Sequence, residues 1–281
     1  MKKKKCYTHI LIKEILLVAL AISYTAFSYA STQLDYTTTD SLFACKILKS
    51  NPGNPADVGR YFLGLPYVAH TLEVNNYEQL VTNLHEIDCT TFIENSLALY
   101  IARGKEFSDF RFTLQNLRYF NGRIRSYSSR KHYMTMWILD NITHSNLIDE
   151  TQTHGTAILY TRLNYMSTHP DNYKQLRNNK FAVAEMHQIE ETYSGIEVRY
   201  LAKKDLKCKG APWIHEGDVI CLVTSIPGLD ISHLGIATYK NGILHLMHAS
   251  SIAKKVIIDP RPLSKQISNK SYLGIRVLRI K

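Results

Sequence analysis

The sequence predicts an α+β fold, helices packed on a central antiparallel sheet, with a helical insertion between the two parts. Three observations carry this. An apolar helix starts at Cys89, two short strands meet at the turn pair Asn241-Gly242, and residues 213–281 are strand-rich while 104–200 show helical periodicity. About 250 residues beyond the leader can bury one sizeable core, so residues 31–281 read as a single domain.

Taken in order, Lys2 to Lys5 form a basic start, Ile15 to Ala21 a short apolar stretch, and Ser28-Tyr29-Ala30 a small-x-Ala pattern. Residues 1–30 therefore read as a signal peptide cut after Ala30, which predicts a periplasmic or secreted protein. The apolar stretch is short for a retained span, so no stable membrane insertion is expected after cleavage. The chain carries net +10, and residues 1–30 hold Lys2, Lys3, Lys4, Lys5, Lys13 and Glu14, which leaves +6 on the remainder. That charge suits an anionic partner. No basic-aromatic cluster or groove-reading motif accompanies it, so nucleic acid is not expected.

Residues 31–56 read as a helical N-terminal extension ending in the turn Asn51-Pro52-Gly53-Asn54-Pro55. From Cys89 onward, Phe92, Ile93, Leu97, Tyr100 and Ile101 recur at helical spacing, Asp88 is the N-cap candidate and Gly104 a C′ candidate. A thiol at a helix start meets the positive end of the dipole, which favours thiolate, and nearby amides suit an oxyanion. Within 104–200, periodic stretches fall near 108–120 and 131–141. Further on, Val219 to Val223, Ser232 to Ile236 and Ile243 to Ser250 read as strands, the last two joined as a hairpin at Asn241-Gly242. The hairpin sets His233 beside His245 or His248, one imidazole holding the other in its reactive tautomer. Cysteine on a helix, then histidine and a polar orienter on a sheet, describes a secreted cysteine amidase or peptidase.

Five motifs occur in order: Leu63-Gly64-Leu65-Pro66-Tyr67-Val68, Asp88-Cys89-Thr90-Thr91-Phe92, Gly217-Asp218-Val219-Ile220, Ser232-His233-Leu234-Gly235-Ile236 and Met247-His248-Ala249-Ser250. Together they resemble the NlpC-type branch of the papain-like cell-wall hydrolases. Within it, Ser129-Arg130-Lys131-His132-Tyr133 with Trp137, and Gly228-Leu229-Asp230-Ile231-Ser232-His233, resemble the N-acetylmuramoyl-L-alanine amidase-like family. The resemblance runs from about residue 57 to the C-terminus. Ala69-His70-Thr71 stands where many relatives have Trp-Gly-Gly, and Thr90-Thr91 where many have Ser-Gly. Both departures favour the amidase-like family over endopeptidases and leave the scissile bond open.

The resemblance implies a papain-like cysteine hydrolase fold and cleavage of the N-acetylmuramoyl–L-alanine bond of peptidoglycan or muropeptides, with no metal or cofactor. Cys89 is then the nucleophile and His233 the base. The motif gives His248 as third residue, while a spacing of twelve from His233 gives His245. Strand alternation sends these two to opposite faces, so one alone points at the site, and His248 is favoured. Tyr67 and the Cys89 amide are expected at the oxyanion, with Asp88 beside them. Arg130 offers a fork for a carboxylate and Tyr133 a flat face with a polar tip, with His132 between them and Asp230 lining the cleft. Alternatives stay open: a γ-D-glutamyl–diamino-acid endopeptidase, a zinc amidase using His233, His245 and His248, or a non-catalytic peptidoglycan-binding protein. Of the cysteines, Cys221 reads as a small core residue, and Cys45 and Cys208 either bridge or stay free.

Overall fold

The computed structural model describes residues 35–144 and 147–280. The signal-peptide reading of residues 1–30 and the cleavage point after Ala30 lie outside the described residues. In chain order come helices α1 (Thr38–Ser50), α2 (Pro55–Tyr61), α3 (Cys89–Ile101), α4 (Phe107–Arg118) and α5 (Met134–His144). Then follow strand β1 (Leu147–Asp149), α6 (Thr151–His154), β2 (Ala157–Tyr160), α7 (Tyr165–Thr168), α8 (Lys180–Thr192) and β3 (Glu197–Ala202). The remainder is β4 (Val219–Thr224), β5 (Ile231–Lys240), β6 (Ile243–Ser250), β7 (Lys255–Ile258), α9 (Leu263–Gln266) and β8 (Tyr272–Ile280).

The strands form one open sheet in the order β2-β3-β8-β4-β5-β6-β7, with β1 also pairing β8. Every one of these ladders is antiparallel. The β5–β6 turn has φ of 52° at Asn241 and 72° at Gly242, the two positive values that a type I′ hairpin needs and that Asn-Gly supplies at little steric cost. All six residues of β4 are buried because it is covered on both faces. Val219, Cys221 and Val223 join the core on the helical side, while Ile220 and Leu222 join a second core under α9. Cys221 is thus the small core residue the sequence predicts.

Helix α3 lies at the centre of the helical side. Nine of its thirteen residues are buried, more than one amphipathic stripe accounts for, because α1, α2 and α4 surround it where it rests on β5 and β6. Beyond its C-cap Ala102, Gly104 takes φ +73° and donates its amide to Leu48 O at 3.0 Å, tying the end of α3 to α1.

One expectation changes and one open alternative closes. Segment 104–200 does carry α4 to α8, but it also supplies β1, β2 and most of β3 to the sheet. Strands of three to six residues are too short for alternation to separate them from a helical background. Cys45 and Cys208 do not bridge: both are free thiols, Cys45 on α1 and Cys208 against the Ser264 hydroxyl at 3.4 Å.

Gly235 allows β5 and β6 to approach beside the two histidines. A Cβ there would meet Leu246 side-chain carbons at 2.6 Å and Met247 O at 2.8 Å. Gly235→Ala is expected to lower stability by about 1–3 kcal/mol, the usual cost of overpacking, read from the urea unfolding midpoint.

Candidate active site

The site begins at the first turn of α3. Asp88 is the N-cap: its Oδ1 accepts the Thr91 amide at 2.8 Å, and Thr91 Oγ1 in turn accepts the Asp88 amide at 2.9 Å. This capping box holds the helix start where Cys89 leaves it. Chain 66–68 runs alongside, with Tyr67 bridged to Ile87 and the Val68 amide donating to Ile87 O at 3.2 Å. Tyr67 and Asp88 line the same cleft, and the half-buried Tyr67 phenol is pushed up by burial and then by Cys89 and Asp88.

The sheet delivers the rest. Pairing between β5 and β6 runs from Lys240↔Ile243 to Ile236↔Met247. Just past its end the Leu234 amide lies against the Cys89 sulfur and favours its anion, as do the Thr90 hydroxyl and the Cys89 amide. These donors are outweighed. Burial, and then the Asp88 carboxylate, push the thiol up to about 12. The thiolate expected from the helix dipole is therefore not the resting form, because burial, and after it the carboxylate that caps the helix, disfavour a charge on the sulfur.

His233, next to Leu234 on β5, places Nε2 at 2.6 Å from His248 Nδ1 on β6, with the rings edge to face. His245 turns to the opposite face and bonds Asp259 O through Nδ1 at 2.9 Å. The three imidazoles do not converge, and among the described residues no group of three His, Cys, Asp or Glu side chains has metal-binding geometry. Burial, and then His248, bring the His233 imidazole down to about 3, so it rests neutral.

A cleft of ≈ 370 Å³ flanks the first turn of α3, lined by Asp88 and Thr90 on one side and by Tyr67, His70, Tyr127 and Tyr173 among others. Arg130 and His132 form part of its wall, though not as free recognition groups. The Arg130 fork is already taken by Glu73 (Nη1 at 3.1 Å) and Glu78 (Nη2 at 3.1 Å), and the guanidinium lies over the Tyr127 ring at 4.7 Å. His132 donates Nε2–H to Tyr127 O at 2.8 Å, and burial and then Arg130 bring it down to about 3.

Two expected cleft residues lie elsewhere. Tyr133 is buried in a separate core of the insertion, its hydroxyl donating to Glu190 Oε1 at 2.6 Å. Asp230 accepts the Thr135 amide at 2.5 Å, near the start of α5, and borders a different cavity, with Asn164, Thr224 and Gly228. Both belong to motifs whose positions are fixed by folding needs. Trp137 is core. Glu94, four residues past Thr90 on α3, is held by Arg118 Nε at 2.6 Å, a buried pair whose loss on one side would cost about 3–5 kcal/mol.

The sequence reading passed over Asp259, just after β7. It is 4% exposed, and its Oδ2 lies 3.9 Å from His248 Nε2. No spacing marks it, because a short strand and a turn separate it from His248; the one signal was a lone Asp-Pro at a strand end.

These elements define a helix-on-sheet protein in which a thiol at a helix start lies against the strand that carries one member of a hydrogen-bonded imidazole pair. The chain belongs to the N-acetylmuramoyl-L-alanine amidase-like family, whose pattern matches residues 57–275. An N-acetylmuramoyl-L-alanine amidase from Bacteroides uniformis is 43% identical over 81% of this chain and 99% of its own, with TM-score 0.79. A Bacteroides fragilis structure described as a candidate xylanase is 45% identical over 79% of this chain and 99% of its own, with TM-score 0.77. A Legionella pneumophila protein, 23% identical over 86% of this chain and 93% of its own, shares the fold at TM-score 0.64. No curated protein matches.

His132 and His233 lie near 3 and His248 near 4, all below the ordinary 6.5. Below pH 6.5 the unfolded chain takes up protons that the folded one refuses, so stability is full above 6.5 and falls steadily toward pH 4. Urea midpoints measured from pH 8 to 4 should show this decline. His132→Asn should flatten it, and an unchanged slope in that variant would mean His132 is not held neutral.

Proposed function

We propose that the protein is a cysteine amidase of the papain-like, NlpC-type superfamily that hydrolyses the amide between the lactyl group of N-acetylmuramic acid and L-alanine, in peptidoglycan or in muropeptides. The observation that carries the reading is that the Leu234 amide, next in the chain to the hydrogen-bonded His233–His248 pair, lies on the Cys89 sulfur in a chain of the amidase-like family. The amidase name of the Bacteroides uniformis relative supports the choice of bond. The leader over residues 1–30, read as a signal peptide, would deliver the enzyme to the periplasm or the exterior, where that substrate lies.

With thiol and imidazole both neutral at rest, His233 removes the Cys89 proton as the sulfur attacks the lactyl carbonyl carbon. The carbonyl π electrons move to oxygen, and the oxyanion is met by the Cys89 amide and the Tyr67 hydroxyl. Its collapse breaks the C–N bond, and the imidazolium protonates the departing L-alanine nitrogen. Water then attacks the thioester, gives its proton to His233, and the sulfur leaves to recover it. The products are a muramic acid carboxylate and a free stem peptide. Each step uses side chains and water, with no metal or cofactor.

A glycosidase, as the Bacteroides fragilis description would suggest, needs two available carboxyls flanking the scissile bond. The cleft carboxylates Glu73, Asp88 and Glu94 are instead bound by Arg130, Thr91 and Arg118. An endopeptidase with the same thiol chemistry, cutting after D-glutamate, differs only in how the peptide is seated.

Purified protein incubated with defined muropeptides should release, by mass spectrometry, free stem peptide beginning with L-alanine. Cys89→Ala should cut turnover by several orders of magnitude and leave the thermal midpoint in place. Cleavage after D-glutamate would move the assignment to the endopeptidase, and activity surviving in the variant would end the thiol mechanism.

A further inference from the structure

Resting on the thiol mechanism above, we propose that Asp259 is a positioning residue that, with Arg261 as its counterweight, fixes the tautomers of His248 and His233 and sets the basicity of the pair. His248 Nε2 is buried without a hydrogen bond, and the nearest carboxylate oxygen, Asp259 Oδ2, is 3.9 Å away. That carboxylate is itself buried and firmly placed. Its main chain is tied to β6 on both sides, the Asp259 amide donating to Leu246 O at 2.9 Å and His245 Nδ1 donating to Asp259 O at 2.9 Å. Arg261 grips the carboxylate through its amide to Oδ1 (2.9 Å), Nε to Oδ1 (3.1 Å) and Nη2 to Oδ2 (2.8 Å).

The consequence follows proton by proton. A carboxylate facing Nε2 favours the His248 tautomer that carries its hydrogen there, which leaves Nδ1 as an acceptor. The 2.6 Å contact then requires His233 to donate through Nε2–H, so His233 Nδ1 keeps its lone pair and is the nitrogen free to take the thiol proton. When His233 becomes imidazolium, the positive charge lies one ring away from Asp259. Catalytic hydrogen bonds are often long before substrate binds, and 3.9 Å closes with a small shift of either side chain.

Arg261 works against this. Burial first brings His248 down to about 4; Asp259 raises it and Arg261 lowers it. Burial alone would raise Asp259, but the Arg261 hydrogen bonds and charge hold it below its ordinary value, so it stays anionic. The charges that act on the pair are each other's and those of Asp259 and Arg261, while Asp88, Tyr67 and Tyr272 act on the Cys89 thiol instead. None of them touches His248 Nε2.

The test has two parts, and neither needs a substrate, so each stands apart from the bond assigned above. Long-range proton–nitrogen spectra of the full protein should show His248 protonated at Nε2 and bare at Nδ1. The opposite tautomer would overturn the proposal without any variant having to fold. Second, the alkylation of Cys89 by iodoacetamide is followed against pH by mass spectrometry. Asp259→Asn should move the acid limb of the profile to lower pH by on the order of one unit, the effect of one neighbouring charge. Arg261→Gln should move it to higher pH. Limbs that stay in place, or that move the same way in both variants, would mean the two residues only support the loop.

Discussion

The protein depends on how the start of α3 is seated against the sheet. A helix N-terminus pressed into a sheet brings amides that must find acceptors, and Asp88 and Thr91 provide them in one capping box. The same turn has to fit where β5 and β6 stop pairing, which is where the Leu234 amide reaches the Cys89 sulfur. The position that makes the helix possible therefore also decides what surrounds the thiol. Burial, and after it the Asp88 carboxylate, oppose the helix dipole there and raise the thiol.

The cleft wall follows a different rule. Segment 104–200 contributes to it the basic partners of carboxylates that lie before that segment. Arg130 sits between Glu73 and Glu78, Arg118 on Glu94, and Lys131 reaches the Asn116 and Leu117 carbonyls and the Asn141 side chain. Such pairs add little net stability over apolar packing, but each is costly to break on one side, so they fix the wall in one arrangement. A polar wall of fixed shape suits a substrate made of amides, hydroxyls and carboxylates.

Much of this was legible in the sequence, and the reasons differ by residue. Asp88 before an apolar helical run, Asn241-Gly242 between two strands, and Cys221 in a continuous apolar stretch are local signals whose physics is complete within a few residues. Tyr133 and Asp230 were misplaced because a polar residue in a motif looks the same whether it faces a ligand or satisfies a helix start, as Asp230 does for Thr135. Arg130 was found but misjudged, since its partners Glu73 and Glu78 lie more than fifty residues away. Asp259 escaped for a similar reason: its relation to His248 is created by the β6–β7 pairing. Strands β1 to β3 were missed because they are short and edge into a mostly helical segment.

Strand β8 carries a consequence for how the molecule assembles. It occupies the middle of the sheet, pairing with β1, β3 and β4, yet it follows all of them in the chain, by more than a hundred residues in the case of β1. Its Arg276 is buried against Asp149 on β1, a pairing that closes only when both strands are in place. Contacts so distant along the chain carry a large loop-closure entropy and make for slow folding. Before β8 arrives, β3 and β4 present open edges inside what becomes the finished sheet, so the two halves of this sheet are joined only by the last strand of the chain.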